Sequence, residues 1–314
     1  VKVDKYEKLL TAHGALPRVR QITLDGPSYV RVPWGTPFIK WAGGKRSLLP
    51  TLLQMVPNSF ATYREPFLGG GALFFALQPP AAFINDINDD LITTCMVVRD
   101  QPDALIGGLA RLEKEYRKRG APFYYDVRKW QLSRLSQLRL AMRFIFLNKT
   151  CFNGLYRVNR AGFFNVPHGK FKSPPTICDA ETIRAASRAM KRTKTRSVVF
   201  GNFDFAHVFK GSKEGDFIYA DPPYAPLSDT SNFTAYAKTG FTQGDHTRLR
   251  NESLLAHERG AKVIISNSSA DFIKGLYADK KVFEIVEVDV KRRINSDATK
   301  RGAVKELIIK TRGW

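Results

Sequence analysis

The run Leu68-Gly69-Gly70-Gly71 limits what this chain can fold into more than any other stretch. Residues 62–67 before it have strand character, and residues 72–77 after it read as a short apolar helix. Consecutive glycines permit backbone angles that a Cβ forbids, so the main chain can turn tightly and approach a ligand closely. The next strand, over 81–84, leads into Asp86-Ile87-Asn88. A strand, a glycine turn, a helix, and an acid at the end of the following strand form the arrangement with which Rossmann-like sheets hold an adenosine. The carboxylate accepts hydrogen bonds from the ribose hydroxyls. Asp86 occupies that position, and Glu65, just ahead of the turn, can accept from a cationic ligand. The glycines do not follow Gly-x-Gly-x-x-Gly, so a single adenosyl group is expected rather than a dinucleotide. A similar strand, turn and helix is predicted upstream: a strand at 38–41, the turn Gly43-Gly44, and a helix over 47–53. Lys45 stands near the start of that helix, where anions are favoured.

Charge is the second constraint. The chain has 314 residues and a net charge of +21. Residues 105–200 hold 21 Lys and Arg against five Asp and Glu, a net +16, so three quarters of the excess sits in under a third of the chain. Clustering of this kind points to a polyanionic partner, with nucleic acid ahead of an acidic membrane surface. No run of about 18 apolar residues predicts a membrane span. Val1-Lys2-Val3-Asp4-Lys5 lacks the basic-then-apolar order of a signal peptide. Three cysteines, Cys95, Cys151 and Cys178, without Cys-x-x-Cys spacing predict neither a disulfide framework nor a metal site. A cytoplasmic location is the expectation.

Residues 1–37 read as an N-terminal extension of unassigned role, with a possible helix over 4–12. An α/β domain is expected over 38–90 and 197–314, interrupted by a mainly helical basic insert over 91–196. Inside the insert, residues 148–170 interleave glycines, asparagines, aromatics and arginines in a hairpin-like order. Arg and Asn read purine edges bidentately, and aromatics wedge into or stack on unpaired bases. After 196, strands are predicted at 197–200, 216–220, 261–266, 282–290 and 304–310, with a helix from about 242 to 259. Arg292 and Arg293 belong to a basic turn suited to phosphates, and 225–241 is a candidate lid.

The strand at 216–220 delivers Asp221-Pro222-Pro223-Tyr224. Taken alone, the tetrapeptide is more often an ordinary surface turn. Its prolines remove two N–H donors and leave carbonyls to accept, the carboxylate adds a stronger acceptor, and the tyrosine offers a flat face. Together they make a pocket for a planar amine.

In this order, Lys40-Trp41-Ala42-Gly43-Gly44-Lys45, Glu65-Pro66-Phe67-Leu68-Gly69-Gly70-Gly71, Asp86-Ile87-Asn88, Cys151-Phe152-Asn153-Gly154-Leu155, Phe164-Asn165-Val166-Pro167, Asp221-Pro222-Pro223-Tyr224 and Ile265-Ser266-Asn267 resemble the blocks of the Dam-type (class alpha) DNA adenine-N6 methyltransferases. The likeness runs from about residue 38 to the C-terminus. It implies S-adenosylmethionine as cofactor, S-adenosylhomocysteine as product, no metal, and no obligate protein partner, with a cognate restriction endonuclease as a possible companion. Trp41, Gly43, Lys45, Glu65, Pro66, Phe67, Gly69, Gly71, Asp86, Ile87 and Asp221 are then cofactor residues. Lys40, Phe152, Asn153, Leu155, Arg157, Asn159, Pro167, Arg292 and Arg293 are DNA-binding, with GATC as the expected site. Asp221, Pro222, Pro223 and Tyr224 form the catalytic turn, acting on an adenine flipped from the duplex. Two positions depart from the pattern: Phe152 stands where several relatives have Tyr, and Phe163 where Glu is common. On the residues alone three rivals stay open: an N4-cytosine methyltransferase, a catalytically silent DNA-binding protein, and a nicotinamide-dependent oxidoreductase.

Overall fold

A computed structural model describes residues 18–23, 26–31, 36–45, 47–191, 193–227, 240–291 and 303–314. The possible helix over 4–12, most of the candidate lid, and Arg292 and Arg293 lie outside the described residues. An antiparallel pair, β1 (Arg18–Thr23) and β2 (Gly26–Arg31), comes first. It is followed by α1 (Leu49–Met55), β3 (Tyr63–Glu65), α2 (Ala72–Leu77) and β4 (Ala81–Asn85). A helical stretch then runs through α3 (Asp89–Asp100), α4 (Pro102–Arg119), α5 (Ala121–Arg128), α6 (Gln137–Thr150) and α7 (Ala180–Met190). The alternating rhythm returns with β5 (Ser197–Gly201), α8 (Phe205–Lys210), β6 (Phe217–Ala220), α9 (Gln243–Glu258), β7 (Lys262–Ser268) and α10 (Asp271–Leu276). Two long strands follow, β8 (Phe283–Lys291) and β9 (Ala303–Thr311). The protein is therefore α/β, as its sequence predicts, and each expected strand from 62 onward forms within two residues of its place.

The strand expected at 38–41 does not form. Phe38 and Ile39 are buried, but the backbone of Lys40 pairs with a side chain instead of a ladder. Its N–H donates to Asn148 Oδ1 at 2.8 Å, and its carbonyl accepts from Asn148 Nδ2 at 2.7 Å. A single side-chain amide supplies the donor and acceptor that a neighbouring strand would have given.

The chain divides into two compact units. One takes in the described residues up to Lys45, Gly69–Gln78 and Asn88–Phe200; the other holds Arg46–Leu68, Pro79–Ile87 and Gly201–Trp314. In the second, the sheet has the order β5-β4-β3-β6-β7-β9-β8, with the chain entering that unit at Gly201, the last residue of β5. β3 pairs in parallel with both β4 and β6, and β6 with β7, whereas β9 runs antiparallel to β7 and β8. All four residues of β6 are buried, as are six of the seven in β7, so both strands are covered on both faces, β7 carrying the buried polar residues Ser266, Asn267 and Ser268 at its carboxyl end. Phe205, Phe209, Leu249, Ile273, Tyr277 and Phe283 pack with Ile218, Ile265, Leu307 and Ile309 on one side of the sheet.

Strand order reverses between β3 and β6. From β3 the chain works outward through β4 to one edge, then comes back to β6 and works outward through β7 on the other side. Crossovers leave such a switch point in opposite directions and open a crevice beyond the carboxyl ends of its two strands. Those ends carry Glu65 and Asp221. At the opposite end of β6, the fully buried Asp216 is neutralised by Arg64 Nε at 2.7 Å.

In the first unit, α3 and α6 bury Leu91, Ile92, Val98, Phe144, Ile145, Phe146 and Leu147. Asn88 Oδ1 caps α3 through Leu91 N (3.1 Å), and Ser136 Oγ caps α6 through Arg139 N (3.3 Å). Arg117, Lys118 and Arg119 close α4, where cations complement the helix dipole.

Candidate active site and nucleic-acid interface

The carboxyl edge of the sheet gathers nine of the residues singled out in the sequence: Glu65, Pro66, Phe67, Asp86, Ile87, Asp221, Pro222, Pro223 and Tyr224. Glu65 is 2% exposed and Asp86 is 9% exposed. Burial holds the Glu65 carboxyl well above the usual carboxylate range; the neighbouring Tyr63 hydroxyl offsets part of the rise, and the charges of Asp221 and Asp86 add to it. Glu65 Oε2 is fully buried and has no hydrogen-bond partner among the described residues. Burial likewise pushes up the hydroxyls of Tyr63 and Tyr219, with Glu65 and Asp221 contributing to both. The cluster thus gathers three carboxyl groups with acceptor capacity left unmet at Glu65, suited to a cation whose charge favours the ionised carboxyl.

Asn85, the last residue of β4, shapes this edge. Its side chain is completely buried; Nδ2 donates to the carbonyls of Pro66 and Phe203, both at 3.0 Å, and Oδ1 accepts from Phe203 N at 2.9 Å. Asn202 Nδ2 donates to the carbonyl of Asp86 at 2.8 Å, joining the segment after β5 to the end of β4. Ile87 is 74% exposed and Phe203 51% exposed, so two large apolar groups stand open on segments tied to Asp86 and Asn85. Phe203 was not legible as a site residue; the only signal was its place shortly after a strand. Phe67 turns its ring toward Phe205 and Phe241, at centroid distances of 5.4 and 5.7 Å, leaving its main chain as what it offers a ligand.

The turn after β6 is held from β7 and β9. Ala225 N donates to Asn267 Oδ1 (3.1 Å), and Ser268 Oγ donates to the carbonyl of Ala225 (2.6 Å). Tyr224 donates its hydroxyl proton to Glu306 Oε2 at 3.0 Å. Burial raises the Tyr224 hydroxyl well above its ordinary value, followed by the charge of Asp221 and then the neighbouring Tyr219 and Glu306. The tyrosine is therefore a neutral aromatic plate. Pro222 is buried and Pro223 exposed, so the turn presents Asp221 and the Pro222 carbonyl from a rigid backbone.

The other unit holds Lys40, Trp41, Gly43, Lys45, Gly69, Gly71, Phe152, Asn153, Leu155, Arg157, Asn159 and Pro167. Trp41 stacks on Tyr156 and Phe144, with centroids 6.0 and 6.4 Å away, and Tyr156 anchors by donating to Asp90 Oδ2 at 3.0 Å. A Cβ on Gly69 (φ +49°) would lie 2.8 Å from the Trp41 ring, so only glycine fits there. Lys45 is buried and donates to the carbonyl of Gly43 at 2.7 Å.

Residues 151–168 form the expected hairpin, as isolated bridges rather than continuous strands: Cys151 with His168, and Val158 with Phe164. Phe152 N donates to the carbonyl of Pro167 (2.9 Å), and Asn165 N to that of Arg157 (3.0 Å). At the tip, Asn159 Oδ1 accepts from Ala161 N and Phe163 N, so that oxygen serves the turn itself. Arg157 is exposed, and its Nε donates to Asn165 Oδ1 at 2.7 Å. Phe152 and Phe163 are 46% and 63% exposed, so the hairpin presents two aromatic rings at its surface. Asn148 ties the base of the hairpin to Lys40, since Nδ2 donates to the Gly154 carbonyl (3.1 Å) as well as to Lys40. Nothing in the sequence separates this asparagine from a surface polar residue on a helix.

The sequence has counterparts among known proteins. Residues 41–294 match the family model for D12 class N6 adenine-specific DNA methyltransferase. The chain belongs to this family. It is similar to the type II methyltransferase M1.LlaDCHI of Lactococcus lactis subsp. cremoris, with 38% identity over 88% of this chain and 95% of the relative. Type II methyltransferase M.MjaIII of Methanocaldococcus jannaschii is also 38% identical, over 87% of this chain and 98% of the relative. The DNA adenine methylase of Escherichia coli K12 is 32% identical over 86% of this chain and 93% of its own length. The enzyme is thus an adenine-specific DNA methyltransferase, and membership of this family removes the cytosine, silent and oxidoreductase rivals.

Gly154 offers a direct check on the hairpin frame of this methyltransferase. It sits at φ +65°, and a Cβ there would meet Lys40 Cβ at 2.6 Å. Gly154→Ala is expected to lower unfolding stability by about 2 kcal/mol, read as a shift in the urea midpoint.

Proposed function

We propose that this enzyme transfers a methyl group from S-adenosylmethionine to N6 of an adenine flipped out of duplex DNA, within GATC. The observation that carries the proposal is the cluster of buried Glu65 and Asp86 with half-buried Asp221 at the carboxyl edge of the sheet, ending in a turn that offers two acceptors and an aromatic plate.

When bound, the cofactor supplies an electrophilic methyl on a positively charged sulfur. Glu65 compensates cationic charge, and its unmet oxygen is the natural acceptor for the cofactor's ammonium group. Asp86 accepts from the ribose hydroxyls, while exposed Ile87 and Phe203 offer apolar surface to the adenine ring. Trp41, Gly43, Lys45, Pro66, Phe67, Gly69 and Gly71 are assigned to the cofactor through the family resemblance.

Adenine N6 is a weak nucleophile because its lone pair is delocalised into the ring. Asp221 and the Pro222 carbonyl accept from the two N6 protons, which favours the amine geometry and aims the lone pair. Tyr224 stacks on the base once it has left the duplex. Asp221 takes the proton released after transfer and passes it to water. In the hairpin, Arg157 and Asn153 read guanine and its neighbours. Phe152 is the wedge, Leu155, Asn159 and Pro167 add contacts, and Lys40 reaches a base or phosphate. Arg292 and Arg293 are assigned to phosphates. The GATC reading rests on the resemblance to the Dam-type family, whose best-known members methylate that site. A cognate restriction endonuclease enters through the relatives named type II methyltransferases.

Duplex DNA of varied sequence, incubated with tritiated cofactor and then mapped, is expected to carry label on N6 of adenine in GATC; label on another base or site overturns the corresponding part. Asp221→Ala is expected to lower transfer about a hundredfold or more with cofactor saturating. Arg157→Ala is expected to cost about 1–3 kcal/mol of discrimination at one base pair while leaving cofactor affinity unchanged; equal loss on all sequences argues against base reading. Because Glu65's folded-state pKa is raised, its ionised form exists only above that value. Cofactor affinity by calorimetry is therefore expected to fall up to about tenfold per unit as pH drops through it, and Glu65→Gln to flatten the dependence.

A further inference from the structure

We propose that Glu306 is a positioning residue for methyl transfer, holding the plane of the Tyr224 ring through the hydrogen bond to its hydroxyl. The proposal rests on the reading of Tyr224 as the plate on which the target base stacks.

A tyrosine ring is joined to the backbone through two rotatable bonds, so its plane swings unless the far end is tethered. Glu306 provides the tether, with Oε2 accepting from the Tyr224 hydroxyl at 3.0 Å. The carboxylate stands on β9 and is only 8% exposed, so water competes weakly for the bond. Glu306 lies directly opposite Ser268 in the antiparallel register of β9 and β7. Ser268 Oγ donates to the Ala225 carbonyl at 2.6 Å, and its neighbour Asn267 accepts from Ala225 N at 3.1 Å. One cross-strand pair therefore grips two consecutive residues of the turn, Ser268 by the main chain of Ala225 and Glu306 by the side chain of Tyr224. A turn held only by its backbone would place Asp221 correctly and still leave the plate free to tilt. With the ring also tethered, plate and acceptors keep one geometry. A flexible plate admits many base orientations of which few align N6 with the methyl, so the tether acts on the turnover step rather than on ground-state binding.

The test compares full-length Glu306→Ala, Glu306→Gln, Tyr224→Phe and the Glu306→Ala/Tyr224→Phe double variant by tritiated methyl transfer to duplex DNA, with thermal unfolding as the folding control. Glu306→Ala and Tyr224→Phe are each expected to lower kcat about tenfold, with KM for DNA and for cofactor within about twofold of the parent. The double variant should be no slower than either single one, and Glu306→Gln, whose amide oxygen still accepts, should recover to within about threefold of the parent. Three results would overturn the proposal: losses that add in the double variant, parental kcat in Glu306→Ala, or a folded Glu306→Gln as impaired as the alanine. If Glu306→Ala does not fold, parental kcat in Tyr224→Phe overturns the proposal alone, and a tenfold loss there beside an active Glu306→Gln supports it. Tyr224→Ala separates the two readings. Full transfer by that variant sinks base stacking itself, whereas its loss beside an unimpaired Glu306→Ala sinks only the tether.

Discussion

The reversal of strand order between β3 and β6 is the constraint on which the chemistry of this protein depends. It opens the sheet where two parallel strands end side by side, and the chain has used both ends for acids, Glu65 and Asp221, with Asp86 at the end of the next strand. Gathering carboxylates out of water is unfavourable, which is why the Glu65 carboxyl is held above its ordinary range. The sheet bears this partly because a further buried acid, Asp216, is neutralised locally by Arg64. An acid is thus neutralised at one end of the sheet, while at the other acids are gathered and Glu65 Oε2 has no such partner among the described residues.

Three buried asparagines do similar work around this constraint. Asn85 at the end of β4 holds the main chain at Pro66 and Phe203, Asn148 in α6 holds Lys40 and Gly154, and Asn267 in β7 holds Ala225 and Ser268. Each sits in a regular element and lends its amide to irregular backbone nearby. Functional loops cannot form ladders, yet their peptide groups still need partners when buried. A side-chain amide carries a donor and an acceptor on one rigid plane, so it substitutes for a strand without extending the sheet.

That substitution marks how far the sequence could be read. The strands after residue 196, the glycine turn and the acids at strand ends were legible because apolar runs and turn residues report local conformation directly. The strand expected at 38–41 had the right apolar character, and nothing in it revealed that Lys40 would find its partner 108 positions away in Asn148. Glu306 and Phe203 escaped for the same reason. An acid in an apolar strand and a phenylalanine after one look ordinary until the pairing register of β9 with β7, or the bonds of Asn85, bring them to the turn and to the cluster. The family resemblance reached the residues assigned to ligands and passed over the asparagines and Glu306 that hold them by hydrogen bonds.

The bonds made by Asn148 also bear on how such an enzyme changes its target. They reach only main-chain atoms, at Lys40 and Gly154, and so are indifferent to the side chains at 40, 152, 153, 155 and 157. The hairpin behaves as a socket whose mounting is separate from its contents. Substitutions can accumulate on its surface without loosening its attachment through Asn148, so divergence of those side chains does not demand divergence in architecture.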